Sequence, residues 1–118
     1  MELEQFFKNT DYKHSYIPEK IKNILNNMTL TDFNRTRDGK YQTFYFHFTY
    51  NEKEYILEHC FLYHWTGVDH WFKFKKPFFS PKPFYLTTSE LETLSNTLMK
   101  SVNEWNTDKR SQPKLRLV

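Results

Sequence analysis

Between Tyr41 and Tyr85 the aromatic residues recur with a period of two. Phe44, Phe46 and Phe48 come first, then Phe61 and Tyr63, then Phe72 and Phe74. Successive side chains of a strand point to opposite faces, so this spacing collects the rings on one side of a sheet. The turn residues set the expected pairing. Asp38-Gly39 is a hairpin signal, because both positions tolerate positive φ. A turn there pairs Arg37 with Lys40 and sets Phe33 opposite Phe44. Closing the polar stretch Asn51 to Glu54 pairs Tyr50 with Tyr55, and places Phe48, Phe46 and Phe44 opposite Leu57, His59 and Phe61. A turn over Thr66 to Asp69 pairs Trp65 with His70, with Phe72 opposite Tyr63 and Phe74 opposite Phe61. All three registers put the Phe residues on one face. Burying one such ring contributes roughly 1.5–3 kcal/mol, and a slip of one residue would turn the whole set into water.

Helical periodicity brackets this block. A short helix is expected over about 2–9. Pro18 suits a helix start, and Ile21, Ile24, Leu25 and Met28 form one apolar stripe over about 18–28. Pro77, Pro81 and Pro83 exclude regular structure in their segment. After them, Ser89 and Glu92 fit a capping box, and Leu91, Leu94, Leu98, Val102 and Trp105 line one side of a helix over about 88–105. The expected fold is therefore α+β. A four-stranded antiparallel meander (about 29–36, 41–50, 55–64, 70–76) joins two N-terminal helices and a C-terminal helix packed on the Phe-rich face. Residues 1–105 form one domain, and 106–118 a basic, flexible tail.

The 118 residues suffice for one hydrophobic core. Net charge is only +3, but Lys73, Lys75, Lys76 and Lys82 form one acid-free cluster, and Lys109, Arg110, Lys114 and Arg116 another. Removing those eight cations from +3 leaves −5 for the rest of the chain. The chain has no alanine and many Asn, Lys, Phe and Tyr residues, whose codons are AT-rich, so a low-GC source such as a mobile element is expected. One cysteine, Cys60, excludes an internal disulfide framework. No leader pattern opens the sequence, and no apolar stretch approaches the ~20 residues of a membrane helix. The expected setting is the cytoplasm.

The face opposite the Phe residues carries Tyr45, His47, Glu58, Cys60, Leu62, His64, Trp71, Lys73 and Lys75. The registers above set Tyr45 across from Cys60, Leu62 from Lys73 and His64 from Trp71. Helix 18–28 either covers this face, making a second small core, or leaves it free; the sequence does not choose. If it is free, its aromatics and lysines form a binding surface. Phe78 and Phe79 in the proline segment extend that surface, as do Lys76, Lys82 and the cations of the tail. The bland alternatives are an edge strand guarded by lysine and proline, and a solvated chain end.

Signals for catalysis are sparse. His47 and Glu58 are expected to face each other, an imidazole beside a carboxylate, yet no nucleophile joins them. Cys60 and His64 share a face but lie roughly 13 Å apart along a strand, too far for two ligands of one zinc. With two distant glycines, Gly39 and Gly67, no phosphate-cradling loop is available. No metal or cofactor is expected. The sequence points first to a small non-catalytic inhibitor or adaptor that engages a protein partner or nucleoprotein complex. A single-stranded nucleic-acid-binding module using the same face is the alternative, because aromatics stack bases and lysines hold phosphates. A His47/Glu58 enzyme comes third.

Overall fold

A computed structural model describes residues 2–9, 17–77 and 84–111 of the chain, the last four of these by backbone alone. Helices α1 (Leu3–Asn9) and α2 (Glu19–Asn27) precede the strands β1 (Met28–Asp38), β2 (Tyr41–Tyr50), β3 (Lys53–His64) and β4 (Gly67–Lys75). Helix α3 (Thr88–Ser111) follows. The strands form one antiparallel sheet in the order β1-β2-β3-β4, so β1 and β4 are its edges. The expected α+β meander is thus the observed fold. Helix α3 runs on to Ser111, through positions expected to open the tail.

The β2–β3 and β3–β4 hairpins are tighter than the turn residues suggested, and the β1–β2 turn is of the expected length but lies one residue later. Asp38 pairs with Tyr41, Tyr50 with Lys53 and His64 with Gly67, leaving two residues in each turn. Gly39 takes φ 58°, and Asn51 and Glu52 take 50° and 63°. Positive φ in a two-residue loop matches the right-handed twist of the flanking strands, which suits the first two turns to this length. The registers differ from expectation accordingly. Phe33 lies opposite Phe46, Phe44 opposite His59 and Phe72 opposite His59 from the other side. Each difference is an even number of residues, so every ring keeps its face.

Strand β1 contains one irregularity. The pairing passes from Leu30↔Phe48 to Asp32↔His47, leaving Thr31 without a partner residue. This bulge lets both Leu30 and Phe33 face the core, although their spacing of three would put them on opposite sides of a regular strand.

The core is a single cluster. Phe46, Phe48, Tyr55 and Leu57 of the sheet meet Leu3 and Phe7 of α1, Ile21, Ile24 and Leu25 of α2, and Leu94, Leu98 and Val102 of α3. Phe84 completes it from the segment before α3, with its ring centroid 4.6 Å from that of Tyr55 and 4.8 Å from that of Tyr50. All three helices bury their apolar residues on this side. Among the described residues, none is left to cover the opposite face. No described helix is long and apolar enough to cross a membrane.

Candidate binding site

The face opposite the helices is built from cross-strand rows. One row reads Asn34, Tyr45, Glu58, Lys73; the next reads Thr36, Thr43, Cys60, Trp71. On one side of these lies Asp32, His47, Ile56, Lys75, and on the other Asp38, Tyr41, Leu62, Asp69. Tyr45, His47, Trp71, Lys73 and Lys75 therefore share one surface. Their partners differ from expectation. Tyr45 faces Glu58 and not Cys60, Lys73 faces Glu58 and not Leu62, and Trp71 faces Cys60 and not His64. The shortened turns are the cause.

The expected His47–Glu58 pair does not form. His47 sits opposite Ile56, and its Nε2 lies 3.3 Å from Asn34 Nδ2. Glu58 is buried, with Lys75 Nζ 3.1 Å from its Oε2. That contact is ionic and lacks the angles of a hydrogen bond. The carboxylate is thus committed to a lysine, and the imidazole to an amide. Lys76 leaves this face: its Nζ stands 5.6 Å from the centre of the Phe74 ring and 5.3 Å from that of Tyr85. Phe78, Phe79, Lys82, Lys114 and Arg116, and the side chains of Lys109 and Arg110, lie outside the described residues.

Two exposed aromatics that the sequence reading left out are Tyr41, which lies on this surface, and Trp65, which lies in the β3–β4 turn at its end. Trp65 occupies the β3–β4 turn and is 97% exposed. Tyr41, in the row beside Trp71, is 52% exposed, and Trp71 itself 37%. A tryptophan in a two-residue turn has no cross-strand neighbour to cover it, so the tight turn explains its exposure. The turn is held locally: His64 Nδ1 lies 2.7 Å from Thr66 Oγ1, and His64 Nε2 lies 3.3 Å from Asp69 Oδ2. Placing the turn one residue earlier would have exposed Trp65 in the sequence.

Comparison with protein-family models, curated proteins and solved structures found no match.

A second polar grouping lies on the core side and was also missed. His59 Nδ1 is 2.9 Å from Ser95 Oγ on α3, and His59 Nε2 is 3.0 Å from His70 Nδ1. The His59 ring is sandwiched by Phe61 and Phe72, each with its centroid 4.2 Å away. Burial lowers the His59 pKa to about 4, and the neighbouring His70 adds to that. An imidazole so weakly basic stays neutral and is a poor proton acceptor near pH 7. Ser95 is buried inside α3, where the helix uses the backbone N–H groups that an oxyanion would need. The chain Ser95–His59–His70 works as a cross-tie between sheet and helix.

Proposed function

We propose that this chain is a small binding protein, an inhibitor or adaptor, that engages a protein partner through the helix-free face of its sheet. The observation that carries the reading is the pair Tyr41 and Trp71, exposed aromatics in adjacent rows of that face, with Trp65 exposed in the β3–β4 turn at the end of the same strands. Tryptophan and tyrosine dominate interface hot spots because they bury much area for few frozen torsions. Lys73 lies one row from Trp71 on the same strand face and supplies a polar rim.

A protein partner is favoured over nucleic acid by the charges interspersed on this face. Asp32, Asp38, Glu58 and Asp69 stand among Lys73 and Lys75, and Glu58 already occupies Lys75. A surface that tracks phosphates is expected to keep its cations free of acids. A cytoplasmic setting and a mobile-element origin fit the composition and belong to the same proposal.

The test is affinity capture from host lysate, with and without nuclease, using the wild type and a Trp65→Ala/Trp71→Ala double variant. Both tryptophans are exposed, so the variant keeps the fold. The expected result is a stoichiometric protein complex, indifferent to nuclease and lost in the variant. Recovery of nucleic acid alone, with a log–log salt slope near −3 to −4 for about four phosphate contacts, would replace this reading with the single-stranded nucleic-acid one. A partner retained by the double variant would place the interface elsewhere.

A further inference from the structure

The core side of the sheet is not sealed along its whole length. Toward the Gly39 end, α3 presents Met99 and Val102 together with the polar Ser95, Asn96, Asn103 and Asn106, while Leu94 and Leu98 fill the core further along. A groove of about 580 Å³ remains between sheet and helix. That volume is typical of small-molecule clefts, which run from about 300 to 1,000 Å³. Its floor includes Phe33, Phe44 and Phe61, all half-buried. Phe33 and Phe44 are nearly parallel, with centroids 6.0 Å apart and an 18° interplanar angle. This stacked pair gives the groove an aromatic wall against which another ring can pack.

The polar lining is specific in kind. Asn96, Asn103 and Asn106 of α3 bring carboxamides to the roof. Arg35, paired with Phe44 across the strands, stands at the side. Among the described residues it is the one permanently charged residue of the lining, and none of them that lines the groove is an acid. Among the described residues no carboxylate lies within ion-pairing distance of Arg35. An aromatic floor, a free guanidinium and amide donors form a complementary set for one kind of molecule.

We propose that this groove binds a flat aromatic anion. Its ring rests on Phe33 and Phe44, and its carboxylate or phosphate meets the Arg35 fork, which suits either group in a two-point contact. The asparagine amides hydrogen-bond its remaining polar edge. This site lies on the opposite side of the sheet from the proposed partner face and stands or falls separately from it.

The test is an NMR titration of the full chain with 2-naphthoate and with its neutral counterpart 2-naphthamide, repeated with AMP and adenosine. Binding of the charged probe is expected to shift the amide signals of Arg35, Phe44, Phe61 and Asn103. Its affinity should exceed that of the neutral counterpart by about tenfold or more, the usual effect of a hydrogen bond to a charged group. Arg35→Gln should remove that preference while leaving the neutral probe unaffected. Asn103→Trp, at an exposed position of α3, should fill the groove and abolish binding of both. Preference for AMP over adenosine assigns the groove to nucleotides. Preference for naphthoate alone assigns it to small aromatic carboxylates. Absence of shifts at millimolar probe, equal affinity for charged and neutral probes, or binding indifferent to both variants overturns the proposal.

Discussion

The imidazole of His59 and the hydroxyl of Ser95 meet at 2.9 Å, and this one bond ties the middle of β3 to α3 inside the core. The ring that makes it is 7% exposed and has a pKa lowered to about 4, by burial first and by His70 second. In the unfolded chain the same group titrates near 6.5. The folded state therefore binds fewer protons than the unfolded state between these values. The His59 contribution is full above about pH 6.5 and is lost as pH falls toward about 4. Its size is at most about 3 kcal/mol. Urea unfolding at a series of pH values should show stability dropping across this window. His59→Leu should flatten that drop whatever its own effect at neutral pH. A variant with the wild-type slope would show that another group titrates.

Helix α3 begins with a reciprocal cap one turn ahead of the leucine stripe. The Thr87 N–H donates to Glu90 Oε1 at 2.9 Å, and the Glu90 N–H donates to Thr87 Oγ1 at 3.2 Å. The cap is thus Thr87/Glu90 and not the Ser89/Glu92 pair that the spacing also allowed. Thr87→Ala should cost about 1 kcal/mol, and Ser89→Ala less than about 0.5 kcal/mol. The Glu90 carboxyl is held below its ordinary pKa, chiefly by the Thr87 N–H and then by Lys20, whose Nζ lies 3.2 Å away. A depressed carboxyl stabilises above its unfolded pKa and loses that effect as pH falls through the folded one. Glu90→Gln should therefore weaken the protein near pH 7 and match the wild type in strong acid. Paired denaturation curves at the two pH values check this.

Much of the fold was legible because the strand period is two. A register that shifts by an even number of residues changes every partner and no face. The rings of Phe44, Phe46 and Phe48 therefore landed on the core side although their opposite residues were misread. Properties that depend on partners were not legible. The His47–Glu58 pair vanished with the register, and the contacts Glu58–Lys75 and His59–Ser95 took its place. The side on which α2 packs was also closed to sequence reasoning. An amphipathic stripe such as Ile21, Ile24, Leu25 shows that a helix buries one side, but it carries no address. The Thr31 bulge left no turn residue to mark it, and the register shift beside it is its only trace.

Phe84 is the residue whose loss should hurt most outside the sheet. It is fully buried, and its ring sits within 6.0 Å of the rings of Phe48, Tyr50, Tyr55 and Phe74. It closes the core at the point where the chain returns from the proline segment to α3. Phe84→Ala should cost about 3–5 kcal/mol, through lost transfer energy and the cavity left behind. Its exposed neighbour is the control. Tyr85→Ala removes an exposed ring whose face meets the Lys76 ammonium at 5.3 Å, and should cost less than about 1 kcal/mol. Thermal unfolding of the two variants, monitored by near-UV circular dichroism, separates them. Equal losses would mean that the ring cluster does not hold the segment.

The β2–β3 turn carries a local strain that a single substitution can relieve. Asn51 and Glu52 both take positive φ, 50° and 63°. Asparagine visits that region readily, but glutamate does so against its Cβ, at a cost of roughly 1 kcal/mol. Glycine has no such penalty, and Asn-Gly is the preferred pair for a two-residue hairpin of this kind. Glu52 is exposed, so its side chain gives up no buried contact. Glu52→Gly should therefore stabilise the protein by about 0.5–1 kcal/mol, the reverse of the usual effect of glycine in a folded chain. The gain should appear as a higher urea midpoint with an unchanged slope, since no surface is newly buried. Glu52→Ala keeps the Cβ and should leave the midpoint where it is. If alanine helped as much as glycine, the charge of Glu52 would be the cause and the backbone would not.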